Sequence, residues 1–167
     1  VPPGKRYISR ARSSEKQPIA DVFSQIMGRF EDLEEKHPER LNDTKWLYEN
    51  VAFTGEIFLG HLRYGTYGGN SIESVHPFLR QNNWRTRNLV LAGNFNLTNV
   101  DELFDILIDL GQHPKEKADT VTILEKVGHF LDVEVEMAFQ RYKEAGHDHR
   151  KITELIGDSL NLEHVLT

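Results

Sequence analysis

The 167-residue chain contains no cysteine. That absence excludes a disulfide framework, a thiolate metal site and a cysteine nucleophile supplied by these residues. No apolar run approaches the roughly 18 residues that a membrane-spanning helix needs. The opening "VPPGKRYISR" lacks the apolar core of a secretory leader. With neither feature, the expected location is the cytoplasm, with no membrane partner. Basic residues are in deficit, 20 Lys and Arg against 26 Asp and Glu, for a formal net charge of −6. This argues against general nucleic-acid binding, which calls for a basic surface. The basic charge that exists falls in two clusters, Lys5, Arg6, Arg10, Arg12 and Lys16, then Arg80, Arg85 and Arg87. Each reads as a solvated strand surface.

What is present is a soluble globular composition, 38% hydrophobic and 28% charged. The length suits one domain with a core, and leaves room for a helical extension. The chain begins with Val1 in a strand-like pattern, which reads as the start of a fragment or a processed product. "KRYISRAR" (5–12) alternates polar and apolar residues and predicts a half-buried strand. Over 17–37, Ile19, Val22, Ile26, Phe30 and Leu33 recur at helical steps, with Pro18 suited to the first turn and Pro38 to the stop. "TKWLYEN" (44–50) predicts a short helix capped by Thr44. "GEIFLGHLRYG" (55–65) is rich in strand formers and leads into the glycine-rich "TYGGNS". Residues 76–94 predict two strands around a turn near Asn82–Asn83. The next helix, 99–111, has Asn99 as cap, Asp101 and Glu102 in the first turn and Gly111 after the last. A further helix starts near Asp119, and the sequence from about 133 onward is helical with a polar break at "GHDHRK". Hairpin-like strand pairs mixed with helices favour α+β over a parallel α/β sheet.

Three places carry residue types that suit chemistry as well as scaffold. In "GHLRYGT", an arginine at the end of an apolar strand can present its fork to a carboxylate, or form a surface ion pair. In "LAGNFNLTN", an asparagine amide and the next backbone N–H can stabilise an oxyanion, or the asparagines can serve turn geometry. In "KADTVT", Asp119 can hold a substrate ammonium group or cap its own helix. Arginine, asparagine and aspartate in that order would suit an amino acid with a reactive side-chain carbonyl. His61 and His76 flank the glycine-rich loop, and the spacing of His147 and His149 offers two ligands without a third, so no metal site is expected. No serine sits in a strand-to-helix elbow, and "YGTYGG" lacks phosphate-loop spacing.

"GHLRYGT", "HPF", "GNFNLTNVDEL" and "ADT" occur in the order and approximate spacing of class II, N-terminal nucleophile glutamine amidotransferase domains, which the chain resembles. The Arg–Tyr pair and "NLTN" look most like the amidophosphoribosyltransferase branch, and 1–131 resembles its long relatives in the Bacteroides group. The resemblance implies an Ntn-hydrolase-like αββα sandwich, here lacking its first strands, over 1–131, with 132–167 as a helical extension or connector. It implies hydrolysis of glutamine to glutamate and ammonia, with ammonia passed to a phosphoribosyltransferase-type domain of the parent chain for purine synthesis. Mg with phosphoribosyl diphosphate belongs to that absent domain, and no cofactor is implied in this chain. Arg63 matches the arginine that holds the glutamine α-carboxylate, Thr66 falls at a position that lines the same pocket in relatives, and Asp119 matches the aspartate that binds the α-amino group. Asn94 matches the oxyanion asparagine. Phe95 stands where the family has glycine and would offer its backbone N–H as the second donor. The family's nucleophile is an N-terminal cysteine, and neither a "CGI"-like start nor an "RGQ"-like segment is here. The chain is therefore expected to be inactive as it stands: a fragment beginning after the nucleophile strand or, alternatively, a cysteine-free amino-acid-binding or scaffold relative. A sheet edge exposed by missing strands could pair with a second copy, giving a homo-oligomer.

Overall fold

Proline fixes φ near the helical value and has no N–H to lose, so Pro18 starts α1 (Pro18–Lys36) at its first turn. The helix stops at His37, whose N–H donates to Leu33 O at 2.7 Å, just ahead of Pro38. The structure, a computed structural model, describes residues 8–62, 71–114 and 116–166. The chain forms two units, Val1–Pro77 and Phe78–Thr167.

In the first unit, Leu33 is the buried residue of α1, while Ile19, Phe23 and Met27 are exposed. A turn of 3₁₀ helix at Pro38–Arg40 leads to α2 (Thr44–Asn50). Its cap is Asp43 rather than the expected Thr44, which is the first helical residue. The Asp43 carboxylate accepts the Trp46 N–H at 3.0 Å, three residues on, which is the reach of an N-cap. The expected strand over 5–12 is not seen in its described part. Residues 8–12 are irregular and held by side chains: Arg12 Nη1 donates to Val75 O at 3.2 Å and Ser9 Oγ accepts Phe53 N–H at 3.4 Å. Residues 55–62 likewise form no strand, and Ile57 is 92% exposed. Alternation and strand-forming residues describe a surface that fits a sheet; without a partner ladder there is none to join.

The second unit opens with the hairpin expected from the sequence. Strand β1 (Phe78–Arg80) pairs antiparallel with β2 (Leu89–Leu91), Phe78 opposite Leu91 and Arg80 opposite Leu89. The connection is longer than a turn at Asn82–Asn83 and contains a 3₁₀ turn, Arg85–Arg87. Asn88 ties it together: Oδ1 accepts Asn82 N–H at 2.9 Å, and Nδ2 donates to Trp84 O and Arg85 O at 3.0 and 3.1 Å. Helix α3 (Val100–Asp109) has Asn99 in the cap position, although its side chain makes no cap bond.

Helix α4 (Asp119–Glu144) is the spine of this unit. Leu124, Gly128, Leu131, Val135 and Ala138 form its buried stripe, at the alternating three- and four-residue steps of a helix facing one core. α5 (His149–Ser159) contributes Ile152 and Ile156, and α6 (Leu162–Leu166) contributes Val165. Each large aliphatic group so buried stabilises by about 1.5–3 kcal/mol relative to exposure. Position 131 lies inside α4, and the helical residues after it supply much of this core. Both α3 and α4 end the same way. Gly111 and Gly146 take φ of +82° and +85°, a left-handed turn that glycine adopts without a Cβ clash. Gly111 N–H then reaches Ile108 O and Gln112 N–H reaches Leu107 O; Gly146 and His147 repeat this on Lys143 and Tyr142. Asp148 restarts the chain as α5, accepting Arg150 and Lys151 N–H, each at 3.0 Å. The described residues thus combine helices with a small antiparallel sheet, an α+β architecture.

Candidate functional site

Strand β2 runs out at Leu91 into the segment that carries Asn94 and Phe95, which ends at Asn99 before α3. Asn94 is exposed and Phe95 is half-buried. The Phe95 ring folds back over Gly93, where a Cβ would stand 2.7 Å from Cε2. Only glycine two residues earlier leaves room for that ring. Phe95 does not take a positive φ; Phe53 is the non-glycine residue that does, among those described.

Asp119 does not cap its own helix. Ala118 occupies the cap position, and Asp119 is the first residue of α4. Its carboxylate turns instead to the loop, where Oδ2 accepts the Leu97 N–H at 3.0 Å. Two of the residues singled out from sequence, Asn94 and Phe95, therefore share one loop, and a third, Asp119, is bonded to that loop. Arg63 and Thr66 lie outside the described residues.

In the same unit, Arg80 fastens the hairpin to α4. Its Nη1 donates to Asp132 Oδ1 at 3.2 Å, its Nη2 to Asp132 Oδ2, and its Nε to Glu125 Oε2 at 3.2 Å. Nη1 also reaches Arg87 O at 3.4 Å. The Arg80 side chain is only 16% exposed. The hydrogen bond to Asp132, with the field of both carboxylates, holds this guanidinium above its ordinary pKa against the opposing effect of burial. Arg87 Nη2 pairs with Glu136 at 2.9 Å. These two arginines are thus not the solvated pair that their sequence cluster suggests. Arg80 uses the bidentate geometry that makes arginine hard to replace by lysine.

The approach to α4 is held from α3. Lys117 Nζ meets Asp101 Oδ1 at 2.6 Å and lies over the Phe104 ring, 5.6 Å from its centroid. That hydrogen bond chiefly raises the Lys117 pKa. In the first unit, the His61 and His76 rings stand 4.4 Å apart, tilted by 51°, and His76 is buried. Sequence spacing placed both beside the glycine-rich loop but gave no sign of their contact. Among the described residues, no three His, Asp or Glu side chains gather as a metal site would require, and no helix is long and apolar enough to cross a membrane.

The described residues define an α+β protein whose long helix begins with a carboxylate bonded to a polar loop. Its sequence is similar to those of amidophosphoribosyltransferases. That of Bacillus subtilis (strain 168) is 37% identical over 81 residues, 46% of this chain. That of Methanocaldococcus jannaschii is 41% identical over 49 residues, 29% of this chain. That of Lacticaseibacillus casei is 36% identical over 70 residues, 42% of this chain. The chain covers 16%, 10% and 35% of these relatives' own lengths. No family model matches it. No solved structure matches it.

Proposed function

We propose that this chain is part of the glutamine-hydrolysing domain of an amidophosphoribosyltransferase, with an Ntn-hydrolase-like fold. The similarity to three proteins of that name supports the reading. The observation that carries it is the Asp119–Leu97 bond, which joins the proposed ammonium-binding carboxylate to the loop of the proposed oxyanion donors. Arg63 takes the α-carboxylate of glutamine, Thr66 lines the same pocket, and Asp119 takes the α-ammonium group. A cysteine thiolate attacks the side-chain amide carbon. The negative oxygen that develops is met by Asn94 Nδ2 and the Phe95 backbone N–H. The proton removed from the thiol passes to the amide nitrogen, so collapse of the adduct breaks the C–N bond, expels ammonia and leaves a thioester, which water hydrolyses to glutamate and the free thiol. Phenylalanine in place of glycine is accommodated in this loop, because its ring lies over Gly93 and its backbone takes no left-handed conformation.

The 167 residues contain no cysteine, so in this reading the nucleophile comes from sequence outside them, and the chain alone does not hydrolyse glutamine. The ammonia would pass to a phosphoribosyltransferase-type domain acting, with Mg, on phosphoribosyl diphosphate in purine biosynthesis. The test is ammonia release from glutamine by the full-length parent protein. It should occur, fall at least about a hundredfold in Asn94→Ala, the scale of losing one oxyanion donor, and fall in Arg63→Ala through weaker glutamine binding. Unchanged activity in Arg63→Ala would remove that residue from the role. Glutamine binding without ammonia release would favour the cysteine-free binding relative.

A further inference from the structure

The hydrogen bond that Asp119 makes gives it a second task. Among the described residues, Leu97 N–H to Asp119 Oδ2 is the hydrogen bond that residues 94–98 make, and it crosses 22 positions of sequence. Both ends of the loop are otherwise fixed, by strand pairing at Leu91 and by the first turn of α3, where Leu103 N–H reaches Asn99 O at 3.1 Å. An N–H donating to an ionised carboxylate is about twice as strong as a neutral pair. Asp119 Oδ1 accepts no hydrogen bond among the described residues, and the carboxylate is half-buried rather than sealed. One oxygen can therefore hold the loop while the other faces a ligand cation.

We propose that Asp119 is a positioning residue, which sets the conformation of the Asn94–Thr98 loop through Leu97 N–H and so aims the donors at Asn94 and Phe95. The identity of the ligand rests on the glutaminase reading, but the positioning role does not. Binding of an α-ammonium group and the shape of the loop are then linked through one carboxylate. A ligand with that group is sensed at the loop, and one without it is not.

The measurement is amide hydrogen exchange and ¹⁵N–¹H spectra of the whole chain, followed at Leu97. The Leu97 amide should exchange about tenfold faster in Asp119→Ala than in the unsubstituted chain. Asp119→Asn, whose amide oxygen still accepts, should restore most of the protection. L-Glutamine should shift the Leu97 resonance in the unsubstituted chain and not in Asp119→Asn, while glutaramate, which lacks the α-amino group, should not shift it. Equal Leu97 exchange in Asp119→Ala and the unsubstituted chain, at equal helical content, overturns the proposal. If Asp119→Ala does not fold, scalar coupling between Leu97 N and the Asp119 carboxyl carbon decides: its presence supports the bond, its absence overturns it. Lost protection in Asp119→Ala with no response to L-glutamine supports the positioning role and counts against the glutaminase reading alone.

Discussion

Arg80 lies across Gly128 of α4, so close that a Cβ on the glycine would stand 2.5 Å from both Cδ and Nε of the arginine. Helix interiors ordinarily favour alanine over glycine by about 1 kcal/mol. Here the two demands oppose each other, because the guanidinium cannot move away without loosening its bonds to Glu125 and Asp132. Gly128→Ala should therefore destabilise the chain by about 1–3 kcal/mol in urea unfolding. In an Arg80→Ala background the same substitution should become neutral or stabilising. A loss of equal size in both backgrounds would show that the glycine answers to something other than Arg80.

Thr122 is completely buried on α4, and its hydroxyl has no hydrogen-bond partner among the described residues. A buried donor left unsatisfied costs about 1–3 kcal/mol in desolvation. Thr122→Val keeps the shape and removes the polar atom, so it should raise stability by on the order of 1 kcal/mol. A lower melting temperature for the valine variant would show that the hydroxyl is satisfied.

Asn88 accepts one N–H and donates to two carbonyls in the hairpin connection. Asn88→Asp alters a single group, yet turns both donors into a negative oxygen facing carbonyl oxygens. It should cost about 1–3 kcal/mol at neutral pH, and the Trp84 fluorescence should report the opened connection. Unchanged unfolding would mean that the two donated bonds add nothing.

Asp148 caps α5, and its bonds from Lys151 and Arg150 N–H hold its carboxyl below the ordinary aspartate range. A carboxyl whose pKa is lowered by folding stabilises above its unfolded pKa, and the effect is lost as pH falls through the folded value. The melting-temperature gap between the unsubstituted chain and Asp148→Ala should thus be full near neutrality and narrow in acid. A gap that widens on acidification would contradict the capping role.

Helix punctuation was the legible part of the sequence because its causes are local. Pro18 and Pro38 bracket α1, Gly111 closes α3, and the "GHDHRK" break resolves into Gly146 ending one helix and Asp148 starting the next. Strands depend on partners, which is why 78–80 and 89–91 appear while 8–12 and 55–62 do not. Of the candidate site, the sequence indicated Asn94 and Asp119 as places of interest, but offered helix capping as the everyday use of Asp119. Its real partner, Leu97 N–H, is a backbone group on another element, and no residue type advertises a backbone group. Arg80 was misread for a related reason: its carboxylates lie 45 and 52 positions away, and only folding brings them to it.

The stretch from Ala92 to Asn96 is a strap fastened twice to one helix. The hairpin that delivers it is clamped midway along α4 by Arg80, and Leu97 is pinned at the first residue of the same helix. The distance to be spanned is thereby set by a rigid rod. A residue deleted from the strap draws on whatever slack its five residues hold between two fixed points, whereas an inserted one can bulge outward with both fastenings intact. Variation in loop length here should therefore be one-sided: additions tolerated better than shortening.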